Sequence, residues 1–215
     1  MIQAVIFDMD GVLIDSEYLS DQYYLTVFKD LGFSPAASDF EMVRGFNGHA
    51  FWTYFSETYN IPYPSEEFKH RTRLRFIEFL KTQNPTPIPG VEELLQELTK
   101  RKVKIALASS GSNIRIAQQI KLIKLTRYFK VIVSGEEVTH SKPHAEIYLK
   151  AAEKLGVNPK DCVAIEDATN GVESAKKAGM KVMGYKSKAN IQNLSQADLV
   201  VDSFKNISID TIVTL

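Results

Sequence analysis

The stretch AVIFDMDGVLIDSE (Ala4–Glu17) contains a junction that decides the fold. Ala4-Val5-Ile6-Phe7 is an uninterrupted apolar run, the pattern of a strand buried on both faces. Two aspartates, Asp8 and Asp10, follow it at once. Close carboxylates repel each other and are costly to desolvate, so a cation or a shared proton must compensate them at the end of a core strand. An EF-hand loop fails, because it needs glycine sixth and Gly11 stands fourth counting from Asp8. From these residues alone, a metal-binding Asp-x-Asp of the glycosyltransferase kind and plain loop carboxylates capping the next turn stay open.

The pattern of apolar run, polar loop and helical periodicity recurs through the C-terminal part. Val103–Ala108 precedes SSGS and a helical stretch from Ile114 to Leu125. Phe129–Val133 precedes a polar loop and a helix over Ala145–Leu155, stopped by Gly156. Cys162–Ile165 precedes EDATNG and a helix over Val172–Ala178, stopped by Gly179, and Lys181–Tyr185 and Leu199–Val201 read as further strands. This repetition predicts an α/β fold, a doubly wound parallel sheet covered by helices on both faces. Right-handed crossovers then bring the C-terminal ends of the strands, and the polar loops with them, to one edge.

Residues 16–83 differ. Helical patterns run over Tyr18–Leu31 (ended by Gly32), Asp39–Val43, Ala50–Tyr59 and Glu66–Leu80, with no strand-like alternation. NPTPIPG (Asn84–Gly90) suits a stiff connector back to the sheet. The expected division is a core of residues 1–15 and 84–215 and an inserted helical domain of 16–83.

Charge is balanced, 26 basic against 26 acidic side chains, so nothing suggests a sequence-independent grip on nucleic acid. No apolar run approaches the ~20 residues needed to span a bilayer. The single cysteine, Cys162, rules out an intrachain disulfide and lies in an apolar run as an inert core thiol. Strand-like sequence begins at Ile2 without a basic leader, and a cytoplasmic protein, monomeric or weakly dimeric, is expected.

DMDGV (Asp8–Val12) resembles the nucleophile motif DxDx[T/V] of the haloacid dehalogenase superfamily. The longer FDMDGVLIDSE is similar to its branch of β-phosphoglucomutase and small-molecule phosphatases, whose members carry a helical cap after this motif. Three further motifs of that family have matches in the same order: Ser109 after a strand, Lys142 in HSKPHAEIY, and Glu166-Asp167 in AIEDATNGVESAKKAGM. The resemblance covers essentially the whole chain.

It implies a Mg²⁺-dependent phosphatase working through an aspartyl-phosphate, since a carboxylate nucleophile splits one difficult displacement into two easier ones. Asp8 is then the nucleophile and a metal ligand, Asp10 gives a backbone carbonyl to the metal, and Asp167 completes the protein ligands, with Glu166 binding directly or through water. The Asp10 side chain is left to protonate the leaving oxygen and later to deprotonate water. Lys142, before a proline that suits the first turn of a helix, would pair with Asp8 and the phosphoryl group. Ser109 and the amides beginning at Ser110 would cradle phosphoryl oxygens, with Asn113 beside them, although Ser and Asn here can equally cap the next helix. SSGSN fits neither a P-loop nor a Rossmann fingerprint.

Asp10 favours phosphate esters over the dehalogenase and phosphonatase branches, which lack it. The cap histidine and arginine of the β-phosphoglucomutase pattern find no match near Ser20 or after Gly45, where the chain reads Phe46-Asn47-Gly48-His49. The expectation is therefore hydrolysis of a small phosphorylated metabolite, a sugar phosphate, with a phosphomutase and a catalytically silent phosphate- or metal-binding regulator as alternatives. Phe46 and Asn47 are candidates for facing the substrate, while most cap aromatics are expected to form its core.

Overall fold

The computed structural model describes residues 2–43, 48–61, 75–76, 78–186, 192–205 and 207–215. Two compact units divide the chain, one of Met1–Asp15 with Pro85–Leu215 and one of Ser16–Asn84.

The first unit is built on six strands: β1 (Ala4–Phe7), β2 (Lys104–Ser109), β3 (Val131–Ser134), β4 (Cys162–Glu166), β5 (Lys181–Tyr185) and β6 (Leu199–Val201). Every pairing is parallel and the order is β3-β2-β1-β4-β5-β6. The expected parallel sheet is thus present. The order runs outward from β1 in both directions, so β1 sits where the winding reverses, the point at which open parallel sheets leave a crevice beyond their carboxyl ends.

Apolar side chains on both faces explain why β1 is a continuous apolar run. All four of its residues are fully buried. Ala4 and Ile6 join Ala106, Ala108, Cys162 and Ala164 in a cluster with Ile147, Tyr148, Ala151, Val172 and Ala175. These last come from the helices Glu146–Leu155 and Thr169–Lys177. Val5 and Phe7 alternate to the opposite face, where Phe7 meets Phe129 edge-on at 6.0 Å. Cys162 is buried and its thiol pKa is pushed up to about 11 by burial, which leaves it unreactive.

In the second unit, the helices Ser16–Asp30, Ala37–Met42 and Gly48–Tyr59 pack Phe28, Phe40, Phe55 and Val27 into a core of their own. Phe55 lies 4.6 Å from Phe28 and 4.8 Å from Phe51, centroid to centroid. Aromatic crowding here forms this unit's own core, because so small a unit needs large side chains to bury enough area. Asp39 accepts from Tyr54 (3.0 Å), Tyr59 (2.6 Å) and the Ala36 amide (2.7 Å). The Tyr59 bond leads these in holding its carboxyl below the usual range. No described helix is long and apolar enough to cross a membrane.

Candidate active site

Parallel register assembles the site. Phe7 pairs with Leu107 on one side and Ile165 on the other. The next residues, Asp8 and Glu166, therefore emerge side by side at the carboxyl edge, and the Asp8 amide still bonds to the Ile165 carbonyl at 2.9 Å. Beyond Asp8 the chain turns, Leu13 bonding back to Met9 (2.9 Å) and Gly11 to Ile14 (2.8 Å). Gly11 takes φ +76°, a left-handed conformation that suits glycine.

Lys142 binds this edge together. Its Nζ lies 2.6 Å from Asp8 Oδ1, 2.6 Å from Glu166 Oε1, 3.3 Å from the Tyr148 hydroxyl and 3.4 Å from the Ala108 carbonyl. Tyr148, fully buried, donates to Glu166 Oε1 at 2.6 Å and sets its ring 5.0 Å from the ammonium. The second oxygen of Glu166 accepts from the amides of Asp167 (3.1 Å) and Ala168 (3.3 Å). Pro143 is not in the first turn of a helix as expected. It follows a cis peptide bond inside a turn, and the helix starts at Glu146. The Glu146 carboxylate explains the local shape, since it gathers the amides of Thr139 (2.8 Å) and His140 (2.9 Å), bonds that lower its pKa to about 2.

Burial raises the Asp8 pKa to about 7, with the charges of Glu166 and Asp10 adding to the effect and Lys142 opposing it. Burial works against the Lys142 ammonium, yet Asp8 and Glu166 outweigh it and hold its pKa well above the ordinary value. Carboxylate oxygens of Asp8, Glu166 and Asp167, all buried, lie within 4.8 Å of one another. One ammonium among three acids leaves an anionic pocket in low dielectric, which a divalent cation would neutralise. Donors that are all oxygen fit Mg²⁺ rather than a thiolate- or imidazole-seeking metal. Two glycines make room for the acids: a side chain begun at Gly11 would collide with the Asp167 carboxylate, and one at Gly171 with that of Glu166.

The remaining expected residues have different surroundings. Ser109, 1% exposed, ends β2, and Ser110 follows it in the loop to the helix Asn113–Leu122, with Ser109 Oγ accepting from the Gly111 amide at 3.1 Å. Ser112 caps that helix, its hydroxyl accepting from the Arg115 amide. Asn113 directs both its amide (3.1 Å) and its side chain (2.9 Å) to Glu136 Oε2, so these donors are engaged by Glu136 rather than by Asp8, Glu166 or Asp167. Asp10 pairs with Arg115. Phe46 and Asn47 lie outside the described residues. Tyr148 and Arg115 are site residues that the sequence reading missed. Tyr148 stands six positions after Lys142 in a quoted motif, which was the one available signal; Arg115 gave none.

A doubly wound parallel sheet with three acids and a lysine at its switch point is the frame of an enzyme acting on anionic groups. The family model for haloacid dehalogenase-like hydrolases matches residues 5–185, and the chain belongs to this family. Over 184 residues it is 35% identical to a phosphorylated carbohydrates phosphatase of Thermotoga maritima, covering 84% of this chain and 83% of the relative. Over 189 residues it is 33% identical to hexitol phosphatase B of Escherichia coli K12, covering 84% and 82%. A solved Thermotoga maritima structure, provisionally named a β-phosphoglucomutase, superposes with a TM-score of 0.86 at 30% identity over 100% of both chains.

Proposed function

We propose that this chain is a Mg²⁺-dependent phosphatase that hydrolyses a small sugar phosphate through a phosphoryl group carried on Asp8. The observation that carries the proposal is the buried contact of Lys142 with both Asp8 and Glu166, beside Asp167. Asp8, Asp167 and Glu166 would hold the cation, with the Asp10 carbonyl completing the set. When bound, Mg²⁺ supplies positive charge that offsets repulsion between the substrate dianion and the carboxylates.

Asp8 Oδ attacks phosphorus as the ester P–O bond breaks, and Asp10 gives its proton to the departing oxygen. Water then attacks the same phosphorus, Asp10 takes its proton, and the bond to Asp8 breaks to release inorganic phosphate. Lys142 stays protonated throughout and offsets charge on the transferring oxygens. The Ser109 hydroxyl and the amides from Ser110 onward orient those oxygens.

Colorimetric phosphate release from a panel of hexose, hexitol and nucleoside monophosphates, with Mg²⁺ and with EDTA, tests the reading. Metal-dependent release from at least one sugar phosphate is expected, and no release from any ester overturns it. A phosphomutase is the second reading, favoured by the match to the Thermotoga maritima structure. It requires glucose 6-phosphate to form from β-glucose 1-phosphate primed with the 1,6-bisphosphate, in the same panel.

Metal binding should follow protons. Asp8, at about 7, is protonated in the metal-free protein below neutrality and must lose that proton to become a ligand. Its raised pKa also means that its contribution to stability is full below the unfolded value of 3.8 and is lost as pH rises through about 7. Calorimetric titration should give Mg²⁺ affinity about tenfold weaker at pH ~6 than at pH ~8, with close to one proton released at the lower pH. Mg²⁺ should accordingly raise the melting temperature more at the higher pH.

A further inference from the structure

Arg115 lies on the helix that leaves the Ser109–Ser110 loop, 105 positions from Asp10 in sequence. Its Nη2 donates to Asp10 Oδ1 at 2.8 Å. The same guanidinium is anchored from behind, Nε donating to Gln119 Oε1 at 3.2 Å, and Gln119 is fully buried. Its backbone is pinned as well, because the Arg115 amide donates to the Ser112 hydroxyl that caps the helix. Two fixed hydrogen bonds on one planar fork make the group a rigid arm rather than a freely turning cation.

The carboxylate it holds needs such an arm. Asp10 sits in a turn beyond the strand, with its side chain 33% exposed, where its rotamers would otherwise be open. A group that moves a proton must stay within hydrogen-bond reach of the reacting oxygens.

Resting on the phosphatase reading, we propose that Arg115 is a positioning residue: it orients Asp10 for proton transfer while touching neither substrate nor the reacting atoms. In the first half-reaction the Asp10 proton passes to the ester oxygen as the bond from phosphorus to that oxygen breaks and the bond to Asp8 forms. In the second, the water oxygen bonds to phosphorus and gives its proton to Asp10 as the bond from Asp8 to phosphorus breaks. Misorienting Asp10 slows the first step only where the leaving oxygen is basic enough to need the proton.

Steady-state kinetics of Arg115→Ala and Arg115→Lys on two esters separate this role from others. One ester is the best alkyl sugar phosphate of the panel, and the other is p-nitrophenyl phosphate, whose leaving group departs without protonation. For Arg115→Ala, kcat/KM on the sugar phosphate should fall about 10–100-fold, and on p-nitrophenyl phosphate by less than about threefold. On the aryl ester kcat and KM should fall together, because release of the phosphoryl group from Asp8 still uses Asp10. Arg115→Lys should recover part of the loss. Arg115 is 38% exposed, so both variants should fold, with Arg115→Ala melting somewhat below the parent because the buried Gln119 Oε1 loses its donor. Equal loss of kcat/KM on both esters, or no loss on either, overturns the assignment while leaving the phosphatase reading intact. Failure of the unsubstituted protein to hydrolyse either ester overturns both.

Discussion

Asp8→Asn yields a folded protein whose turnover of every phosphate ester is at least about 10³-fold lower than the parent's. The amide keeps the shape of the carboxyl but has no anionic oxygen with which to attack phosphorus. Folding should survive because the substitution removes a charge from a place where charge is costly. Burial already holds the Asp8 pKa at about 7, so near neutrality much of the native population carries a proton there. Asparagine preserves an acceptor for Lys142, which also retains Glu166. Thermal melting at neutral pH should show a transition no lower than the parent's. Measured phosphate release separates the outcomes: activity within tenfold of the parent would mean that another group accepts the phosphoryl.

Lys142→Ala should be damaging in both stability and rate. It removes a cation 2.6 Å from each of two carboxylates, both of them buried. Removing one partner of a buried pair typically costs about 3–5 kcal/mol, since the remaining charge is left uncompensated. The protein can relieve part of that strain by protonating Asp8, whose pKa rises further once the opposing influence of Lys142 is gone. A neutral Asp8 is a poor nucleophile, so rate at neutral pH should fall by about 10²–10³-fold, with the pH of half-maximal rate moving upward. Urea denaturation should show the stability deficit smallest below pH ~6, where Asp8 is protonated with or without Lys142, and growing as pH rises through about 7. A deficit independent of pH would instead mark lost packing.

The sheet and its acidic edge were legible in the sequence because two of the strands end in an abrupt change from apolar to charged residues. Phe7 to Asp8 and Ile165 to Glu166 are the two instances, and parallel register sets them side by side. The helix boundaries shifted by a residue or more, as at Asn113 for Ile114, because the capping residue rather than hydrophobic periodicity fixes where a helix begins. Tyr148 was hidden for a different reason. A tyrosine at an inward helix position looks like any core aromatic, and only the tertiary fold shows its hydroxyl meeting Glu166. Arg115 carries no signal in the sequence, because a contact spanning 105 positions leaves no local trace. The proline after Lys142 misled, since proline suits both a helix start and the turn that precedes one.

Placing the first strand in the middle of the sheet has a consequence for biosynthesis. Ala4 finds its neighbours at Lys104 and Cys162, so in a nascent polypeptide the edge that carries Asp8 cannot assemble until both of those segments have left the ribosome. Long-range parallel pairings of this kind form slowly, because chain entropy is lost before contacts repay it. Fragments that stop short of Asp167 lack part of the acidic cluster altogether, so its three carboxylates come together in one step, after β4 has joined the sheet.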